Sequence, residues 1–307
     1  MGLPVIAVQH HHAHMAACIA ENELEGDVLG VTWDGTGHGL DGTVWGGEFL
    51  SGGAAAFRRT AHLRAFCLPG GERAVKEPRR SAIGALFEAF GPQAFGMREL
   101  PCFEGFTDSD LGILRQSLER GVNAPATTSA GRLFDAVASL AGVRQIMAFE
   151  GQGAMMLEHA AAGSADRGVY PFGIRSRTVA HAEAQWPAPR GDDAAGSAGV
   201  PVLVVDWVPM LEEVLADRAR GTAPGIIAAR FHNTLVRMIA AVALRCGLDR
   251  VVLSGGCFQN RLLLEGAVGG LRAAGLSPFW HQRIPPNDGG ISPGQAFVAA
   301  SILAQEG

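Results

Sequence analysis

Two apolar, β-branched runs, Val28–Trp33 and Arg250–Leu253, each pass directly into a glycine-rich polar segment. The first leads into Asp34-Gly35-Thr36-Gly37-His38-Gly39 and the second into Ser254-Gly255-Gly256-Cys257-Phe258-Gln259-Asn260. A strand that ends in glycines and opens a helix aims backbone N–H groups at one point, a placement that suits an anion. The second segment has that form, because a helical pattern follows over Asn260–Ala274. The first reads as a glycine turn whose carboxylate, Asp34, can hold a cation or orient water; a plain hairpin turn remains open for it.

The surrounding pattern alternates strands with helices. Strands are expected at Leu3–Val8, Thr43–Leu50, Arg58–Phe66, Val202–Val205 and Pro278–His281. Helices are expected at Gln9–Glu21, Ser81–Phe90, Ser109–Arg120, Arg132–Ala141, Gly153–Ala162, Val208–Ala219 and Gly225–Cys246, with one more at the end. Residues Gly191–Gly199 are small and polar and are expected to form a loop. The alternation defines an α/β layered fold. With 48% apolar residues in 307, a large core is available. A net charge of −5 gives no electrostatic reason for a nucleic-acid partner. No run of about 18 apolar residues suggests a membrane span, and no signal-peptide pattern opens the chain. Five cysteines without a CxxC pair fit neither a zinc ribbon nor a disulfide framework, and suit a reducing cytoplasm.

Val8-Gln9-His10-His11-His12-Ala13-His14 is the strongest local signal. On a helix His10 and His14 lie one turn apart on one face, the spacing at which two imidazoles share one transition metal. A third ligand could come from Asp288 in Pro285-Pro286-Asn287-Asp288-Gly289-Gly290; a turn or N-cap aspartate is the alternative. Gly131, Asp135, Glu150 and Gln152 form a further polar set. Asp135 sits inside Leu133-Phe134-Asp135-Ala136-Val137, where an exposed helix face is favoured over a ribose contact. Cys257 reads as a small buried thiol. Lys76, Arg79 and Arg80 read as a solvated helix start.

Taken in order, these motifs resemble one family. Gln9-His10-His11-His12-Ala13-His14, Asp34-Gly35-Thr36-Gly37 and Trp45-Gly46-Gly47-Glu48-Phe49 match the C-terminal carbamoyltransferase domain of the HypF hydrogenase-maturation proteins. So do Gly131-Arg132-Leu133-Phe134-Asp135-Ala136-Val137, Phe149-Glu150-Gly151-Gln152, Ala229-Arg230-Phe231-His232-Asn233, Leu253–Asn260 and Pro285–Gly290. The resemblance implies the TsaD-like version of the actin, heat-shock chaperone and sugar-kinase (ASKHA) fold. Residues 1–26 would be a remnant of the first lobe carrying the histidine helix, most of that lobe being absent, and residues 27–307 the catalytic lobe.

By position, the resemblance makes His10, His14 and Asp288 ligands of a divalent iron or zinc ion. Gly35, Thr36 and Gly37 would face phosphate. Gly131, Asp135, Glu150, Gln152, Gly255, Gly256 and Asn260 would line ATP, AMP or carbamoyl-adenylate, with magnesium a further candidate. Asp34 and His14 are the candidate catalytic residues. The implied reaction passes a carbamoyl group, made from carbamoyl phosphate and ATP by a YrdC-like domain, to the C-terminal cysteine of a HypE-like partner. Carbamoylation of a small-molecule hydroxyl, or a non-catalytic nucleotide-binding scaffold, are the competing readings. A second copy of the chain is a further candidate partner.

Overall fold

The protein, seen here as a computed structural model, is described for residues 5–186 and 199–306. Among the described residues, ten strands join one mixed sheet: β1 (Val28–His38), β2 (Val44–Gly52), β3 (Phe57–Leu63), β4 (Phe66–Cys67), β5 (Ala126–Thr127), β6 (Gly173–Val179), β7 (Gln185–Trp186), β8 (Val200–Asp206), β9 (Arg250–Ser254) and β10 (Ser277–Trp280). The main path runs β10-β9-β1-β2-β3-β8-β6. Its centre is the antiparallel meander β1-β2-β3, to which β9 adds in parallel on one side and β8 in parallel on the other. The helices are α1 (His10–Glu21), α2 (Glu72–Lys76), α3 (Pro78–Phe90), α4 (Asp108–Arg120), α5 (Ala130–Leu140), α6 (Gln152–Ala162), α7 (His181–Ala184), α8 (Val208–Ala219), α9 (Pro224–Cys246), α10 (Arg261–Ala273) and α11 (Ile291–Glu306).

The continuous apolar reading of β1 follows from burial on both faces. Leu29, Val31 and Trp33 enter the large core with residues of α5 and α9, while Val28 joins Met15, Cys18 and Ile19 of α1. Gly30 lies on the α1 side, where a Cβ would come within 2.6 Å of Met15. Helix α11 crosses α1 just as closely, since a Cβ on Gly294 would lie 2.0 Å from the Ala13 carbonyl oxygen. The histidine helix is thus wedged between the sheet and the last helix. Helix α9 is long and apolar enough to cross a membrane by length and composition, with a mean hydropathy of 1.3 in its richest window; 61% of that window is buried, and α9 packs against α6 and α10.

The structure corrects several expectations. Residues 5–9 form no strand ladder, and residues 3 and 4 lie outside the described residues. Val5 is exposed with no strand beside it among the described residues, and an apolar run without a ladder partner does not become a strand. Asp34–Gly37 is not a turn: β1 continues to His38 across a register shift between Trp33 and Gly37, and the reversal comes at Gly39–Thr43. Asp41 closes that reversal by accepting from the Thr43 amide at 3.0 Å. Strand β6 went unseen because Arg175-Ser176-Arg177 carries no apolar period; only backbone pairing to β8 makes it a strand. Arg80 is buried rather than solvated, with Glu77 3.0 Å from its Nε. Most of the expected loop 191–199, residues 191–198, lies outside the described residues.

Candidate metal and nucleotide site

Gln9 starts the histidine helix. Its side-chain oxygen accepts from the His12 amide at 2.9 Å, and its Nε2 donates to the His38 carbonyl at 3.0 Å. This cap fixes where the helix begins, and therefore which histidines face the end of β1. His10 and His14 do so. His11 is buried beside Trp45, and its pKa falls to about 3, chiefly through burial, with Glu48 opposing. His12 packs on Phe57 and Trp186, hydrogen-bonds the Gly53 carbonyl at 2.9 Å, and is lowered to about 4 by burial. Both are neutral packing residues.

His10 Nε2 and His14 Nε2 converge on Asp34 Oδ2 at 3.2 and 3.1 Å, and each lies 3.6 Å from Asp288 Oδ1. One ligand atom from each of these four residues lies within 4.8 Å of the others. Two imidazoles and two carboxylates are a donor set suited to a divalent transition metal. Asp34 therefore joins the three candidate ligands expected from the sequence. Its other oxygen accepts from the Gly35 and Gly256 amides at 2.8 and 3.2 Å. Burial alone would raise the Asp34 pKa; hydrogen bonds from His10 and His14 outweigh it and hold the carboxylate far below the ordinary range. His14 is desolvated too, yet its contacts with Asp288 and Asp34 raise its pKa. Such a cluster of opposed charges is the environment a cation would occupy in place of protons.

Beside the four donors opens a cavity of about 380 Å³, lined by Asp34, Thr36, Arg132, Asp135, Glu150 and Asp288 among others. Gly35, Gly131 and Gly256 also line it. Helix α5 meets β1 without clearance: a Cβ on Gly131 would lie 2.8 Å from Gly35 Cα. The Ser129 hydroxyl bridges the Asp34 and Gly35 carbonyl oxygens at 2.7 and 2.8 Å, pinning the bulged strand to the start of α5. Asp135 is buried, not on an exposed helix face, because α6 covers α5 there; a Cβ on Gly153 would lie 3.1 Å from Asp135 Oδ1. Arg132 Nη1 stands 3.0 Å from Asp135 Oδ2, but it donates to the Val75 carbonyl, and neither Asp135 oxygen has a hydrogen-bond partner. Burial foremost, with Glu150 adding, raises the Asp135 pKa to about 6 against the pull of Arg132.

Other expected residues serve the frame. Gly37 gives room to the helix, since a Cβ there would lie 2.4 Å from the His11 ring. Gly255, at φ +101°, passes 2.3 Å (as a Cβ) from the Trp33 carbonyl oxygen. Gln152 accepts from the Ala148 amide at 2.8 Å. Asn260 caps α10 through the Leu263 amide and contacts His232 Nε2 at 2.8 Å. The Gly35 and Gly256 amides are already engaged by Asp34, so they cradle that carboxylate. Cys257 lines the cavity, but burial, with Asp34 adding, pushes its thiol well up, so it stays protonated. Arg132 and Ser129 were missed; the i, i+3 spacing of Arg132 and Asp135 on one helix was the available signal.

Fold and site together define a class: an α/β protein in which two histidines and two carboxylates converge at the edge of a polar cavity. The family described as "Carbamoyltransferase, Kae1-like Domain, second subdomain" matches residues 30–295, and the chain belongs to it. It is 38% identical to the carbamoyltransferase HypF of Synechocystis sp., over 99% of this chain and 38% of that one. It is 40% identical to carbamoyltransferase HypF2 of Cupriavidus necator, over 97% of this chain and 37% of that one. A crystal structure of full-length HypF in the phosphate- and nucleotide-bound form superposes with a TM-score of 0.84 at 36% identity, covering 99% of this chain and 37% of that chain. The chain thus spans a little over a third of these relatives, and its sheet and helices are those of the TsaD-like fold.

Proposed function

We propose that this chain binds one divalent iron or zinc ion and an adenine nucleotide, and transfers a carbamoyl group from carbamoyl-adenylate to the cysteine thiolate of a HypE-like partner, within the cytoplasm. The observation that carries this reading is the position of four metal-type donors at the edge of a cavity that also holds Arg132 and the unpartnered carboxylate of Asp135. Asp135 and Glu150 supply acceptors for ribose hydroxyls. The Arg132 guanidinium supplies positive charge for phosphate, and so does the start of α6 behind Gly151. When bound, the ion supplies a Lewis acid that polarises a carbonyl or phosphoryl oxygen.

The protein's own residues hold the adenylate so that the partner's thiolate reaches the carbamoyl carbon. A C–S bond forms, the C–O bond to the phosphate breaks, and AMP leaves with the electron pair. A thiolate needs no activating base for this step. The raised pKa of Cys257 speaks against a covalent relay through that residue. The test mixes this chain with a YrdC-like adenylate source, labelled carbamoyl phosphate, ATP and a HypE-like acceptor. Label is expected on the acceptor cysteine with Cys257→Ser and not with His14→Ala. Loss of transfer in Cys257→Ser, with metal still bound, would replace direct transfer by the relay.

A further inference from the structure

Helix α1 carries a third polar residue on its ligand face. His10, His14 and Glu21 stand at i, i+4 and i+11, close to whole numbers of helical turns. Glu21 points at the segment that leads to Asp288. Its Oε1 accepts from the amides of Gln282, Arg283 and Ile284 at 2.9, 2.5 and 3.4 Å. Its Oε2 lies 2.8 Å from His281 Nδ1, and His281 Nε2 lies 2.8 Å from the Ser254 hydroxyl. The carboxylate places the ring proton on Nδ1, so Nε2 accepts from Ser254. Ser254 is the last residue of β9, directly before the Gly255-Gly256 pair. The Gly255 amide donates to the Pro286 carbonyl at 2.9 Å, and the Gly256 amide donates to Asp34. The Asp288 segment is therefore gripped at both ends, once by the histidine helix and once by the turn that holds Asp34.

The order serine, histidine, carboxylate is that of a hydrolytic triad, but Ser254 is fully buried and the Glu21 and His281 side chains are only 4% and 2% exposed. No substrate reaches that hydroxyl. We propose instead that Glu21, His281 and Ser254 form a positioning clamp that holds the Asp288 segment in register with His10 and His14, and so sets the affinity of the four-donor site for a divalent cation. The inference rests on reading that site as a metal site. Asp288 needs such support more than the other donors: its side chain is 73% exposed, whereas those of His14 and Asp34 are 1% and 12% exposed. A ligand on an open segment loses conformational freedom when it binds, and a preset segment has already lost it. Burial favours the neutral form of His281; for Glu21 burial opposes the charge, and hydrogen bonds from the backbone amides outweigh it.

The test is a double-variant cycle on zinc affinity, read by competition with a chromophoric chelator, alongside amide hydrogen exchange of residues 281–290 in the metal-free chain. Glu21→Gln, and as a milder change Ser254→Ala, are expected to weaken zinc binding, Glu21→Gln by about tenfold, and to speed exchange at 282–284. In an Asp288→Ala background Glu21→Gln should add less than about twofold, because the residue it acts through is gone. A merely destabilising substitution would weaken binding equally in both backgrounds, and that result overturns the clamp. So does unchanged exchange at 282–284 in Glu21→Gln, or labelling of Ser254 by a serine-hydrolase probe. If the unaltered chain binds no zinc while Glu21→Gln still loosens 281–290, the metal reading fails and the clamp on the segment stands.

Discussion

Asp34 and Asp135 line one cavity, both nearly inaccessible to solvent, and their pKa values move in opposite directions. Asp34 receives two backbone amides on one oxygen and faces two imidazoles with the other, and it stays ionised. Asp135 has only an unaligned arginine and no hydrogen bond, and its pKa rises to about 6. The difference teaches that burial alone does not decide a carboxylate's charge. What decides it is whether donors converge on the group. One wall of the cavity holds an ionised carboxylate among backbone amides and imidazoles. The other holds a carboxyl to which no described residue donates a hydrogen bond.

The sharpest way to break this contrast is to remove the imidazoles. His10→Ala/His14→Ala should abolish metal content by elemental analysis, a loss beyond the roughly hundredfold that supporting residues contribute. It should also let Asp34 titrate in the range of a buried carboxyl. Next is Asp135→Asn. The folded pKa of about 6 lies above the ordinary 3.8. Stability from the protonated form is thus complete below the unfolded value and is lost as pH rises through about 6. The unaltered protein should lose about 2 kcal/mol between pH 4.5 and 7, out of about 3 kcal/mol over the full titration. The asparagine variant should show no such slope in urea unfolding at pH 4.5 and 7, and should bind AMP more weakly by calorimetry. Gly131→Ala drives a Cβ against Gly35, 2.8 Å away, and should cost about 1–3 kcal/mol in the same assay. The smallest effect belongs to Cys257→Ser, where carbamoyl transfer should change by less than about twofold if no relay runs through that thiol.

Much of the frame was legible because its signals are local. Val208–Ala219 coincides with α8, and the remaining expected helices lie within a few residues of the observed ones. The motif Ala229-Arg230-Phe231-His232-Asn233 was legible as a pattern but not as a role. In the structure Arg230 pairs with Asp166 and Asp217 at 3.0 and 2.8 Å, and Phe231 packs in the core. His232 holds the Asn260 cap of α10. These are fastenings, and nothing in five consecutive residues distinguishes a fastening from a ligand contact. Trp45-Gly46-Gly47-Glu48 is similar. Its buried Glu48 is matched by Arg59 at 2.6 Å, and Arg59 in turn stacks on Trp45 and reaches Asp41.

By itself the sequence determined the alternation of strands and helices, the pairing of His10 with His14, and the two glycine segments. Each follows from residue spacing along the chain, where a helical turn or a pleat brings neighbours together whatever surrounds them. Only the tertiary structure decided that Asp34 belongs with the histidines, that Asp135 is sealed under α6, and that Glu21 grips His281, which is 260 residues away. The same holds for the bulge that carries Asp34 along β1 instead of into a turn. Those outcomes depend on which surfaces meet when the sheet closes between α1 and α5, and no period in the chain records that.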